Sequence, residues 1–143
     1  MKVFVYEDAG RICVGTESGE LDIIESADIS IPKGSDYIIL NDEDLPKEPQ
    51  ESWCIEGGQL KIDQEKLATY NRSIMPDLTP IEFDMKLRKA GMLQTVRDYV
   101  ATNEVMEIAY TRATFFRRTD PFIETARIEL GLTEDQVDQI WTG

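Results

Sequence analysis

The chain has 143 residues, of which 41% are hydrophobic, and its formal net charge at neutral pH is −13. This length accommodates one ordinary domain or two small ones. The negative charge disfavours nucleic acid and anionic membranes as partners and favours proteins that present basic surface.

The charge is unevenly distributed along the chain. Residues 1–66 contain 6 basic and 16 acidic residues, for a net charge of −10, whereas residues 67–143 contain 9 and 12, for a net charge of −3. Such a shift in composition indicates two parts with different surfaces.

Residues 1–63 are predicted to form a small antiparallel β domain, a meander followed by a hairpin. Short β-branched and aromatic runs alternate with turn residues throughout this part. Gly57-Gly58 suits a two-residue hairpin turn in which both residues adopt positive φ. The acidic segment Asn41–Gln50 contains two prolines and is predicted to be an exposed loop. The expected strands are residues 2–6, 11–16, 21–25, 37–40, 52–55 and 60–62.

Residues 64–78 are predicted to form a connecting helix and a linker. Asp63 can cap a helix that runs to about Ser73, and Pro76 disfavours helical conformation in the residue before it. The domain boundary is expected between about Asn71 and Leu78.

Residues 79–143 are predicted to form an array of about five short helices, which gives the whole chain an α+β fold. Thr79–Glu82 and Thr133–Gln136 are capping boxes, and Asp120-Pro121 pairs an N-cap with proline at the first helical position. In the third of these helices, Val105, Ile108, Ala109, Ala113 and Phe116 recur at helical spacing, which predicts the face that packs in the core.

The sequence offers little to support catalysis. It has no histidine, which excludes most zinc sites and the usual general base near neutral pH. It has no glycine-rich phosphate loop, and the acids of Asp42–Glu48 do not follow the spacing of a calcium loop. We therefore expect no enzymatic activity, no metal and no cofactor.

Two further features have ordinary structural interpretations. Leu130–Thr133 resembles the turn of a helix-turn-helix motif, but the following helix has acids and no Lys or Arg, so a packing turn is favoured. Cys13 and Cys54 lie in predicted strands and are interpreted as small hydrophobic residues in a reducing compartment, although a disulfide between them is left open.

The early acids at the N-terminus and the lack of a long apolar run favour a soluble protein made in the cytoplasm.

One local basic spot stands out, formed by Arg112, Arg117 and Arg118 beside Phe115 and Phe116. One interpretation places Phe116 in the core and pairs the arginines with Asp120, Glu124 or other acids. The other is a docking surface, because arginine and aromatic residues are enriched in interface hot spots. The candidate partner-binding residues of the whole chain are Tyr37, Trp53, Arg112, Phe115, Arg117, Arg118 and Trp141.

Two sets of motifs resemble small proteins of bacteriophage tail gene modules. The N-terminal set is Ile31-Pro32-x-Gly34-x-x-Tyr37, Asn41-Asp42-x-Asp44-Leu45-Pro46 and Trp53-x-Ile55-x-Gly57-Gly58-x-Leu60-x-Ile62-Asp63. The C-terminal set is Leu87-x-x-Ala90-Gly91-Met92-Leu93, Phe116-Arg117-Arg118-x-Asp120-Pro121 and Leu130-Gly131-Leu132-Thr133-x-x-Gln136-Val137-Asp138-x-Ile140-Trp141. These motifs are turns, caps and core positions within residues 31–141.

The resemblance implies a tail accessory protein that binds a tail-fibre, tail-tip or baseplate protein, with a trimeric partner among the candidates. Such a protein is either a fibre-assembly chaperone in the host cytoplasm or a structural part of the virion tail. An alternative from the charge alone is an acidic phage-encoded inhibitor that mimics nucleic acid, an anti-defence protein.

Overall fold

The computed structural model describes residues 1–143 and confirms the predicted α+β class, with a three-stranded antiparallel sheet and a hairpin followed by helices. The chain divides into two compact units, Met1–Tyr70 and Asn71–Gly143, with the division inside a helix. The elements in order are β1 (Lys2–Asp8), β2 (Arg11–Thr16), α1 (Ile23–Ser30), β3 (Tyr37–Asn41), β4 (Trp53–Glu56), β5 (Gln59–Ile62), α2 (Gln64–Ser73), α3 (Pro80–Lys89), α4 (Leu93–Ala101), α5 (Glu104–Arg112), α6 (Pro121–Glu129) and α7 (Glu134–Thr142).

Strand β1 lies between β2 and β3 and pairs with both in antiparallel register. Its two faces are both buried. Val3 and Val5 pack with Ile12 and Trp53 on one side, whereas Phe4 packs against α1 on the other. A central strand covered on both faces reads as a continuous apolar run, which explains the Val-Phe-Val sequence of β1.

The prediction of a strand at residues 21–25 is wrong, because α1 begins at Ile23. The Asp22 carboxylate accepts hydrogen bonds from the backbone N–H groups of Ile24 and Glu25, both at 2.9 Å. The Glu25 side chain accepts from the Asp22 N–H in return, which completes a capping box. The cap, together with burial of Ile23 and Ala27 against Phe4, outweighs the β preference of two adjacent isoleucines.

The predicted hairpin is confirmed between β4 and β5. Gly57 and Gly58 have φ values of 60° and 74°, the left-handed conformation that a two-residue turn of this kind requires. Most of the segment from Asn41 to Gln50 is exposed, as predicted, and it includes a 3₁₀ turn at Asp42–Asp44. Cys13 and Cys54 lie in β2 and β4 as half-buried free thiols.

Gly15 lies directly opposite Phe4 in the β1–β2 pair, and the phenyl ring covers it. A β-carbon added at Gly15 would overlap Cζ of Phe4, whose ring packs against α1. We therefore expect Gly15→Ala to lower the free energy of unfolding by about 1–3 kcal/mol, measured by urea denaturation. Combining it with Phe4→Leu should cost less than the sum of the two single changes, and strict additivity would contradict the contact.

The helical unit contains the five predicted helices α3–α7. The hydroxyl of Thr79 accepts from the Glu82 N–H at 3.3 Å, and that of Thr133 accepts from the Gln136 N–H at 3.1 Å, so both predicted capping boxes form. Asp120 caps α6 by accepting from the Phe122 N–H. These local side-chain bonds satisfy N–H groups that a helix start leaves without partners.

The core of this unit is aromatic at its centre. The rings of Phe83 and Phe116 are 4.4 Å apart, and Phe116 is fixed by two backbone hydrogen bonds to Leu78, at 2.7 and 2.8 Å. The full buried cluster is Leu78, Phe83, Leu87, Val96, Val100, Phe116, Ile123, Val137 and Trp141.

The predicted core face of the third helix is only partly correct. Helix α5 ends at Arg112, so Phe116 is buried from an extended segment rather than from the helix. Within α5 the buried residue is Met106, whereas Val105 and Ile108 are 74% and 50% exposed. Of the predicted face, Val105 and Ile108 therefore face solvent, whereas Ala109 is half-buried and Ala113 packs against the core.

Candidate protein-binding surface

The structure separates the seven candidate residues into three groups. Arg112, Phe115 and Arg117 are exposed, and Tyr37 is half-buried beside the Phe4 cluster of the first unit. The other three, Trp53, Arg118 and Trp141, are buried.

The two tryptophans are core residues whose indole groups are hydrogen-bonded inside the protein. Trp53 donates to the backbone oxygen of Glu48, and Trp141 donates to that of Pro76, each at 2.8 Å. Since both their rings and their polar N–H groups are already engaged, neither is available as a surface anchor. The assignment of Trp53 and Trp141 to a binding surface is therefore corrected.

Arg118 is also removed from the surface, because its side chain is only 2% exposed. Its Nε donates to an Asp138 carboxylate oxygen at 2.8 Å, and one of its terminal nitrogens donates to Glu134 at 2.6 Å. Arg72 also donates to Asp138, at 2.9 Å. These bonds join the segment before α6 and the end of α2 to helix α7.

The acids expected to pair with the arginines have other roles. Asp120 is a helix cap, and Glu124 binds Arg127 at 2.5 Å. The hydrogen bond from Arg127 lowers the pKa of Glu124, and the same bond raises the pKa of Arg127. Arg127 also lies 3.2 Å from Glu134. The acidic residues of α7, which disfavour binding to DNA, therefore also form ion pairs with arginines of the protein itself.

The exposed corner consists of Phe115 and Arg117. The Arg117 guanidinium lies 5.6 Å from the centre of the Phe115 ring, within cation–π distance. Its Nε is 3.3 Å from an Asp77 carboxylate oxygen, but both side chains are well exposed, so this ion pair contributes little to stability. The pair leaves an aromatic ring and a guanidinium accessible together.

Helix α5 presents a second exposed feature next to this corner in the sequence. Val105, Ile108 and Arg112 recur at i, i+3 and i+7, so they share one solvent-facing side of the helix. The opposite side is fixed to the core. Tyr110 packs on Phe83 and Phe116, and its hydroxyl donates to Asp84 of α3.

The Tyr110 contact holds α5 on the core through a protonated phenol. Burial, reinforced by the hydrogen bond to Asp84, raises the pKa of Tyr110 to about 12. The hydroxyl therefore keeps its proton and this hydrogen bond throughout the neutral range. We call Val105, Ile108, Arg112, Phe115 and Arg117 the α5 surface.

The α5 surface was only partly found from the sequence. Its basic corner was identified, but Val105 and Ile108 were assigned to the core. Ala109 and Ala113 of the predicted face also belong to a second stripe with Met106 and Tyr110, spaced at i, i+3, i+4 and i+7, and this second stripe is the one that packs. Two overlapping stripes on one helix were the available signal that one of them would remain exposed.

No family model matches the chain, and comparisons with curated proteins and with solved structures find no similar protein. None of the helices is long and apolar enough to cross a membrane. No group of three or more cysteine, aspartate or glutamate side chains is arranged to hold a metal ion. The function must therefore be argued from the surfaces of the chain itself.

Proposed function

We propose that the protein is a bacteriophage tail accessory protein that acts by binding a tail-fibre or baseplate protein through the α5 surface. The observation that carries the proposal is the exposure of Val105 and Ile108 on a helix whose other side is buried. Branched apolar side chains held in one orientation offer a partner area that loses little conformational entropy on binding. The motif resemblance to tail-module proteins supports the identity of the partner.

The composition of the α5 surface defines the kind of partner it fits. Arg112, Arg117 and Phe115 are of residue types that are enriched in protein interfaces, and Val105 and Ile108 add exposed apolar area. A complementary partner presents an apolar patch with carboxylates beside it, because Arg112 and Arg117 then bind across the interface. The same contact serves a fibre-assembly chaperone in the host cytoplasm or a permanent component of the virion tail.

Mimicry of nucleic acid has less support, despite the net charge of −13. A mimic needs a rigid array of free carboxylates, but Glu134 and Asp138 of α7 are held by arginines. Among the acids of the Asn41–Gln50 segment, Asp42 binds the N-terminal amino group at 3.0 Å, which lowers the pKa of its carboxyl group. Binding through the apolar α5 surface is the better supported function.

The test is co-expression with the tail-fibre or baseplate protein encoded in the same gene cluster. We expect pull-down of that protein, and Ile108→Asp should weaken the complex about ten-fold or more by placing a charge at an apolar contact of the α5 surface. The matched control is Ile128→Asp on α6, which changes a similarly exposed isoleucine outside the α5 surface and should leave binding within about two-fold of the parent.

Three readouts distinguish the possible roles. Higher yield of trimeric fibre with no retention in purified tails identifies a chaperone, whereas retention in tails identifies a structural component. No pull-down with either fibre or baseplate protein, together with no change in fibre yield, would contradict the proposal. If Ile108→Asp and Ile128→Asp weaken the complex equally, the α5 surface is not the binding site.

A further inference from the structure

A cleft of about 400 Å³ lies in the helical unit between the C-terminal ends of α3 and α7. Half-buried Met92, Leu132 and Ile140 contribute apolar side chains to its wall. Lys86, Lys89 and the amides of Gln136 and Gln139 surround this apolar part. The volume lies within the range of sites that hold small ligands or a few peptide side chains.

The charge of the cleft is opposite to that of the chain. Although the chain has 28 acidic and 15 basic residues, the side chains that line the cleft include two lysines and no Asp or Glu. The Lys86 ammonium donates to the backbone oxygen of Gly143 at 2.8 Å. Lys89 makes no hydrogen bond or ion pair in the structure, so its ammonium is free to bind an anionic group.

The two lysines also lie in the last turn of α3, where cations offset the partial negative charge of a helix end. Arg88 has the same placement on α3 but does not line the cleft. The helix dipole therefore explains basic residues at this end of α3 in general. It does not explain why two of these basic residues line an apolar cleft that has no Asp or Glu side chain.

We propose that this cleft binds an acidic peptide segment of a partner protein. An apolar side chain of the peptide packs on Met92, Leu132 and Ile140, and a neighbouring carboxylate pairs with Lys89. The Gln139 amide can bond to the peptide backbone, since its side chain has no partner inside the protein. A charge-assisted bond next to an apolar contact distinguishes this ligand from a purely apolar one.

The proposal stands apart from the function assigned to the α5 surface. It uses α3 and α7 rather than α5, and it concerns recognition of a short acidic segment rather than a folded tail protein. A failure of one proposal therefore leaves the other intact, and Ile108→Asp should leave peptide binding unchanged.

The test is a titration of the full ¹⁵N-labelled protein with two synthetic peptides, followed by amide chemical shifts. The acidic peptide is acetyl-Glu-Leu-Asp-Leu-Glu-amide, and its neutral counterpart replaces the acids by glutamine and asparagine. We expect saturable shifts for Met92, Gln139 and Ile140 with the acidic peptide, and about ten-fold weaker binding of the neutral one. Raising the salt concentration should weaken the acidic peptide selectively.

Lys89→Glu and Arg88→Glu provide the matched comparison, because both reverse one charge in the last turn of α3. The first should weaken the acidic peptide about ten-fold or more, and the second should leave its affinity within about two-fold. If both variants weaken binding of the acidic peptide equally, the effect comes from the overall charge of the protein, and the proposal is overturned. Equal binding of the neutral peptide, or shifts that do not saturate or lie outside the cleft, would overturn it as well.

Discussion

Replacing Trp141 by alanine should lower the free energy of unfolding by about 3–5 kcal/mol, among the largest effects expected for any single change in this chain. The side chain is 2% exposed, and its ring centre lies 5.7 Å from that of Phe83 in the middle of the helical core. Truncation would leave a cavity lined by α3 and α7, which short helices fill only partly by moving.

Trp141→Phe separates the contribution of the ring from that of its hydrogen bond. Phenylalanine keeps much of the aromatic packing but leaves the backbone oxygen of Pro76 without its donor, at a cost of about 1–3 kcal/mol. Urea denaturation followed by far-UV circular dichroism measures the free energy of unfolding of both variants. The m-value should be the same as that of the parent protein, so that a shift of the midpoint reports a change in stability.

The matched control for Trp141 is Phe115→Ala. Phe115 is an aromatic residue of the same unit that is 48% exposed, so its truncation should change the free energy of unfolding by no more than about 0.5 kcal/mol. A cost for Trp141→Ala as small as that of Phe115→Ala would contradict the buried position of the tryptophan.

Sequence patterns predicted the features of the fold that depend on neighbouring residues. Helix starts at Thr79 and Thr133 were correct because a capping box is complete within four residues. The Gly57-Gly58 hairpin was correct for the same reason, since the turn needs only two residues with positive φ.

The errors arose where distant contacts decide the outcome. Ile23 and Ile24 are β-branched and favour a strand. Packing of Ile23 and Ala27 against Phe4 of β1, together with the capping box of Asp22 and Glu25, favours the helix there. Helix α5 has two overlapping stripes, and the contact of Tyr110 with Phe83 and Asp84 selects which one is buried. Periodicity along one element cannot distinguish two such faces.

The candidate surface shows the same division between local and distant contacts. Arg117 and Arg118 are adjacent, yet the first is 57% exposed and the second only 2%. The difference comes from partners 16 and 20 residues away, Glu134 and Asp138. The sequence therefore indicated a basic corner but could not assign one arginine to the core and the other to the surface.

Arg118→Ala should destabilise the helical unit by about 3–5 kcal/mol, because it removes the buried cation that binds both Glu134 and Asp138. Arg72 lies 2.9 Å from Asp138 and retains part of the pairing for that carboxylate, so the loss should be larger when Arg72→Ala is added. Urea denaturation of the two single variants and the double variant measures this coupling.

Arg117→Ala is the matched control for Arg118→Ala, since it removes the neighbouring arginine from an exposed ion pair and should cost no more than about 1 kcal/mol. Arg118→Lys should recover only part of the loss, because a single ammonium cannot reproduce the geometry with which the guanidinium bridges two carboxylates. Equal costs for Arg117→Ala and Arg118→Ala would contradict a structural role for the buried ion pairs. The predicted contrast assigns Arg118 to the stability of the fold and leaves Arg117 as the arginine whose replacement tests the α5 surface.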